Sequence, residues 1–527
     1  MAQPLSPKDL HALLQGQVPP ALLDVREHGE YNTAHISGAS SLPRRLLESH
    51  AMRLAPCLST ATVVYDDDGR RAALAATTLE RMGYTNVSVL ANGLIRWASD
   101  GFNTEWGVNV PSKAFGEQVL TSRHVPELTP VELHEWMEKD ERFVLLDART
   151  PEEHRQATIP GSRSVPGGEL ALRITGIVPD PSTTIVVHCA GRTRSIIGAE
   201  TLRGVGYENV YCLKNGTMGW FMAGFSLDTS STRVELVPPS PEHVPDLEQQ
   251  ARKEAEKEGV VYLSPEELDA LVRLSGQENI YLIDVRTREE YGQGHVPGFT
   301  WFPGGQAVQR TDEMVADRQG RIVFTCDGLV RASTTAAWFR RMGLPNIYVL
   351  EGGTAAWAGA GRRLETGQAV PEPFGYDAAL AQTEFISPKA LAQELIEVST
   401  PKLLFVGTSR EFMAGHPSGG AWAPRGWLEL WAPDLVPMHD SPVVIACEDG
   451  VQSVLAGATL QGMGYASVRV LQEGVAAWRD AGLPLETGLS GVMAPPNDVV
   501  PTGTERTTAE MLFYLSWEEA LGHGEST

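Results

Sequence analysis

Basic residues are scarce in this 527-residue chain: 43 Lys and Arg stand against 66 Asp and Glu, a formal charge of -23. Nucleic acid and an anionic membrane surface both call for a basic footprint, so neither is an expected partner. Any anionic substrate must be met by a local positive site. Cysteine is scarcer still, with five (Cys57, Cys189, Cys212, Cys326 and Cys447), odd in number and mostly far apart. Such a set does not make a disulfide framework and points to a reducing, cytoplasmic location. No stretch approaches ~18 consecutive apolar residues, and the opening MAQPLSPKDLHALL lacks the basic start and apolar run of a signal peptide, so no membrane role is expected. No spacing of Cys and His resembles a zinc or iron–sulfur site, and no glycine pattern opens a nucleotide-binding βαβ segment. Neither a metal nor a cofactor is therefore expected.

What is present is repetition. The length exceeds what one hydrophobic core supports, and at ~100 to 200 residues per domain it implies roughly three to five domains. Helix starts recur at Ser6-Pro7, Thr129-Pro130, Ser264-Pro265 and Ser387-Pro388, each a hydroxyl N-cap followed by proline. Asp9, Glu132 and Glu267 stand where a capping-box acid belongs, and Ala390 breaks the pattern. Strand ends follow at Asp24/Arg26, Asp147/Arg149 and Asp284/Arg286, with Phe405 and Gly407 at the fourth pair of positions. A turn position carries His35, Thr158, His295 and His416, a strand-to-loop position carries Asp66, Cys189, Cys326 and Cys447, and a late helix carries Trp97, Trp220, Trp357 and Trp478. Neighbouring copies of the strand-end pair, the turn position, the loop position and the tryptophan are 123, 137 and 121 residues apart alike. Each repeat has kept its internal length, and only the connections vary.

The chain accordingly reads as domains at 1–122, 123–240, 260–375 and 376–488. The charged, weakly amphipathic segment 241–259 is read as a linker with a short exposed helix, dividing the chain into two halves of two repeats. In the tail, 489–527, the run ERTTAEMLFYLSWEEAL is expected to form a helix with Met511, Leu512, Leu515 and Trp517 near one face. That helix is expected to pack on its own chain or on a second subunit and not to serve chemistry.

The best-formed loop is VVHCAGRTRSIIGAE. A run of β-branched residues ends at Cys189, small and basic residues follow, and an apolar helical pattern begins near Ser195, which reads as strand, loop, helix. A thiol at the carboxyl end of a strand, facing the amides of the next helix, is a candidate nucleophile. Taken with the Asp-x-Arg pairs and the His-x-Pro-Gly turn, the series resembles the rhodanese (thiosulfate sulfurtransferase) domain, four times in tandem. The resemblance implies an α/β fold in each repeat, a small parallel sheet flanked by helices. It also implies an enzyme whose loop cysteine takes the outer sulfur of thiosulfate as a persulfide and passes it to a thiophilic acceptor. The expected partners are a small anionic sulfur donor, an acceptor such as cyanide or a thiol, and a sulfur-accepting protein.

Cys189 and Cys326 are the candidate catalytic residues; Arg192, Thr193, Arg194, Ser195 and Arg331 are the candidate substrate-binding residues, the guanidinium groups suiting the sulfonate end of a dianion. Asp327 beside Cys326 opposes the thiolate and repels a dianion. The fourth loop, ACEDGVQS, has Gln452 where the arginine belongs and reads as degenerate. In the first, Asp66 cannot carry a persulfide, which leaves that repeat a structural or substrate-shaping role. Two other readings compete: a persulfide carrier or interaction protein without turnover, and a cysteine-dependent phosphatase. The latter needs five residues between Cys and Arg, whereas four separate Cys189 from Arg194 and Cys326 from Arg331. The Asp-x-Arg pairs, the turn histidines and the tryptophans are read as structural, and Cys57 and Cys212 as ordinary half-buried cysteines.

Overall fold

The computed structural model describes residues 2–368, 372–396 and 400–522. The parts of the third and fourth domains at 369–371 and 397–399, and the last five tail residues, lie outside the described residues. Each repeat forms a five-stranded parallel sheet in which the strands, numbered along the repeat, lie in the order 1-5-4-2-3. In the second repeat the fourth strand, Ile185–His188, is buried along its whole length between Val144–Asp147 and Val210–Leu213. Burial on both faces explains its unbroken β-branched run. The aligned loop position follows that strand directly in every repeat: Asp66 after Thr62–Tyr65, Cys189 after Ile185–His188, Cys326 after Arg321–Thr325 and Cys447 after Val443–Ala446.

Local chemistry repeats with the same fidelity. Thr129 and Ser264 form capping boxes with Glu132 and Glu267. Asp9, one methylene shorter, accepts the Ser6 hydroxyl at 2.6 Å instead. Ser387 caps through the Ala390 amide alone. The indole N–H groups of Trp97, Trp220, Trp357 and Trp478 each donate to the carbonyl six residues on, at 2.8 to 3.0 Å. The Asp-x-Arg pairs are buried ion pairs, Arg149 Nη2 lying 2.7 Å from Asp147 Oδ2. In the fourth repeat an edge-to-face contact between Phe405 and Phe412 stands in their place.

The grouping of the repeats differs from the sequence expectation. One compact unit comprises Met1–Met52, Thr60–Gly107 and Val370–Val500, so it holds repeats one and four; the other comprises Arg53–Ser59, Val108–Ala369 and Pro501–Thr527, with repeats two and three. The supposed divider, Val244–Lys257, buries Leu247, Ala251 and Ala255, and Ala255 belongs to a continuous core shared by repeats two and three. It therefore joins what it was expected to separate. The Val110–Ser122 helix, placed in the first domain by the 1–122 boundary, also belongs to this unit, with Gly116 set against Thr193.

Repeats two and three meet through glycines. A Cβ on Gly168 would lie 2.7 Å from the Gly305 nitrogen, and one on Gly305 would lie 2.8 Å from the Gly168 nitrogen, so any side chain would force the backbones apart. In the other unit, Arg44 reaches Glu429 at 2.6 Å and Arg425 reaches Glu48 at 3.0 Å across repeats one and four. Among the described residues no helix is long and apolar enough to cross a membrane.

Candidate active site at the Cys189 loop

The loop after each central strand is gripped by the turn that precedes the tryptophan helix. Gly216 adopts a left-handed φ of 51°, and a Cβ there would lie 2.2 Å from the Cys189 carbonyl oxygen. The Thr217 and Met218 amides then donate to the Cys189 and Ala190 carbonyls at 2.8 and 3.1 Å. Gly93, Gly353 and Gly474 approach the other three loops in the same way. The Asn/Gly-Gly-x-x-x-Trp signature thus clamps the loop as well as packing the helix.

Cys189 is buried, and its Sγ lies 3.5 Å from Ser195 Oγ, which itself donates to the Arg192 carbonyl at 2.8 Å. The two loop arginines are more committed than their sequence positions suggested. Arg194 makes a bidentate pair with Glu153, at 2.6 and 2.9 Å. Arg71 with Glu30 and Arg331 with Glu290 make the equivalent pair in repeats one and three. Arg192 is held by Glu117 at 2.6 and 2.8 Å, by Glu519 at 3.0 Å and by Glu127 at 3.3 Å. Thr193 donates its hydroxyl to Glu518 at 2.7 Å. These groups shape and fix the loop, and both guanidinium groups, expected to be free anion binders, are engaged by carboxylates, while Arg194 still acts electrostatically on Cys189.

Two of those carboxylates, Glu518 and Glu519, come from the tail helix Thr508–Leu521. It packs on its own chain as expected, burying Met511, Leu515 and Trp517 while Leu512 stays exposed. Its position was not expected. Met511 and Leu515 join Met218 in a small apolar cluster, and a Cβ on Gly191 would lie 3.6 Å from the Tyr514 ring. The helix read as remote from chemistry covers the Cys189 loop.

The other loops show why they differ. In the first, Asp66 fills the nucleophile position and accepts from the Gly69 and Arg71 amides at 2.5 and 2.8 Å. Backbone amides at that position therefore cradle a negative charge, as a persulfide requires. In the third, burial first and Asp327 second push the Cys326 thiol up to about 12. Arg331, fully buried, is claimed by Glu169 at 2.8 Å, Glu290 at 2.6 Å and Asp327 at 2.8 Å, which places it as an ion-pair hub and not as an open substrate ligand. In the fourth, burial pushes the Cys447 thiol up to about 11, with Asp449 3.6 Å from its sulfur. At neutral pH such thiols are thiolates roughly once in 10⁴ to 10⁵ molecules. Cys57 and Cys212 are fully rather than half buried, and all five cysteines are free. Among the described residues no group of three or more His, Cys, Asp or Glu side chains could hold a metal ion.

Sequence reasoning also passed over His188, which directly precedes Cys189. It is fully buried with neither ring nitrogen hydrogen-bonded, and burial lowers its pKa to about 4 against the opposing pull of Asp147, 3.9 Å away. Unfolded His188 takes up a proton near pH 6.5 and the folded residue only near pH 4, so the unfolded state binds more protons between those values. Stability therefore falls as pH drops through that window, by about 3 kcal/mol. His188→Thr, which installs the residue of the equivalent third-repeat strand, is expected to remove most of that loss. Urea midpoints near pH 7 and pH 4.5 check it; equal losses in the two proteins would refute the role of His188.

The rhodanese-like domain model matches residues 6–100, 129–223, 264–360 and 387–481. A crystal structure of thiosulfate sulfurtransferase from Pseudomonas aeruginosa is 36% identical, with a TM-score of 0.90 over 99% of this chain and 97% of that one. The SseB protein of Mycobacterium tuberculosis is 28% identical over 142 residues, covering 22% of this chain and 49% of SseB. A sulfurtransferase of Allochromatium vinosum is 32% identical over 86 residues, 16% of this chain and 78% of that protein. The chain thus spans about half the length of the Mycobacterium relative.

Proposed function

Because the chain belongs to the rhodanese family, with four rhodanese-like domains, we propose that it is a sulfurtransferase using Cys189 to move a sulfane sulfur from thiosulfate or a related small anion to a thiophilic acceptor. The Cys189 thiolate attacks the outer sulfur of the donor. The sulfur–sulfur bond breaks, sulfite leaves with the electron pair, and the outer sulfur remains as a cysteine persulfide. An acceptor such as cyanide then attacks that outer sulfur and leaves as thiocyanate, which restores the thiolate. No oxidant or cofactor enters the cycle.

The observation that carries this assignment is the contrast among the loops: Asp327 beside Cys326, and Glu448 and Asp449 after Cys447, put acid next to the thiol, whereas Ala190 and Gly191 follow Cys189. Asp66 adds that amides of this loop type stabilise an anion at the nucleophile position. Steady conversion of thiosulfate and cyanide to thiocyanate and sulfite by the purified full-length protein is the expected result. Formation of one persulfide per chain without turnover would instead make the protein a sulfur carrier.

A further inference from the structure

With Arg192 and Arg194 both tied to carboxylates, their charge at the Cys189 site is partly offset, and an anionic donor would gain from further cations. Two stand at the Tyr514 ring that covers the Cys189 loop, both outside the repeat that supplies the loop. Lys113 lies on the Val110–Ser122 helix, one turn before the Gly116 and Glu117 positions that contact Thr193 and Arg192. Its Nζ is 4.8 Å from the centre of the Tyr514 ring and 4.9 Å from that of Trp517, and it donates to the Val108 carbonyl at 2.6 Å. Arg506, just before the tail helix, sets its guanidinium 4.4 Å from the same Tyr514 ring. That ring is the one seated over Gly191.

Neither cation has a carboxylate within ion-pairing distance among the described residues, whereas both arginines of the loop, Arg192 and Arg194, hold carboxylates bidentately. Lys113 is buried, with 3% of its surface exposed, and an ammonium in that position with one carbonyl partner leaves two donors unsatisfied. Glu518 faces both cations: one of its oxygens takes the Thr193 hydroxyl, and the other is buried with no hydrogen-bond partner, while Asp312 also acts on Lys113, and Glu505 and Glu510 on Arg506.

We propose that Lys113 and Arg506 bind the anionic end of the sulfur donor at Cys189, so that donor choice is set by a helix and a tail outside the catalytic repeat. The substrate class this selects is a small sulfur oxyanion of the thiosulfate kind, held by its oxygens while its outer sulfur meets the thiol. The proposal rests on Cys189 as the nucleophile, and it is tested in a way that needs no sulfur transfer.

The full-length protein and its Lys113→Gln, Arg506→Gln and double variants are alkylated with iodoacetate, which is anionic, and with iodoacetamide, which is neutral, and the Cys189 peptide is followed. The double variant should lose about tenfold in its iodoacetate rate while its iodoacetamide rate stays within about twofold, and KM for thiosulfate should rise with kcat retained at saturation. Arg506 is half-exposed, so Arg506→Gln alone keeps the test open if the buried Lys113 substitution fails to fold. Equal changes with the two reagents, or no change with either, would overturn the proposal. If Cys189→Ser kept its turnover, the functional assignment would fail while this contrast remained readable.

Discussion

Cys189→Ser should lower thiosulfate:cyanide turnover by about three orders of magnitude or more, because the hydroxyl that replaces the thiol is a far weaker nucleophile toward sulfur and cannot carry a persulfide. The fold should be unchanged: Ser is nearly isosteric, and the loop is held by backbone contacts at Gly216, Thr217 and Met218 that the substitution does not touch. Cys447→Ser should leave turnover within about twofold, since a thiol pushed up to about 11 contributes almost no thiolate at neutral pH. Cys326→Ser should do little with thiosulfate for the same reason, with its thiol at about 12. Steady-state assays on the three variants, with circular dichroism to confirm folding, settle the ranking. A Cys326→Ser protein that lost thiosulfate turnover while Cys189→Ser kept it would reverse the site assignment.

Arg331→Met should destabilise the second compact unit by about 3 to 5 kcal/mol, the cost of removing one partner from a buried ionic cluster. Its guanidinium is fully buried and holds together Glu169 from the second repeat with Glu290 and Asp327 from the third. Removing it leaves the buried Glu169 with Arg173 alone, at 2.6 Å, and takes from Glu290 its bidentate partner. The double variant Arg331→Met/Glu169→Gln should recover part of the loss, because one of the excess negative charges goes with it. Chemical denaturation of both proteins checks this. A role as substrate ligand makes the opposite forecast, a raised KM with an unmoved unfolding midpoint.

The sequence carried the four repeats clearly because their landmarks are local. A strand end, a capping hydroxyl and a tryptophan at fixed spacing each answer to neighbours within a few residues, so Asp66, Cys189, Cys326 and Cys447 could be aligned without a structure. What escaped was long-range. Which repeats share a compact unit depends on faces such as Gly167–Gly168 and Gly304–Gly305, and a glycine pair in a loop looks the same whether it meets solvent or another backbone. The linker helix misled because its burial rests on Leu247 and two small side chains, Ala251 and Ala255, a weak apolar stripe. Arg192 and Arg194 stood where anion binders belong, but the carboxylates that occupy them lie 41 to 327 residues away, at Glu153, Glu117 and Glu519. Lys113 and Arg506 carried no signal at all until the tail helix was seen against the loop.

The most direct measurement is the mass of the five cysteine-containing peptides after the reduced, full-length protein meets thiosulfate, before and after cyanide is added. One extra sulfur on the Cys189 peptide, discharged by cyanide, with the Cys57, Cys212, Cys326 and Cys447 peptides unchanged, is the predicted result. Extra sulfur on the Cys326 or Cys447 peptide with none on Cys189 would contradict it.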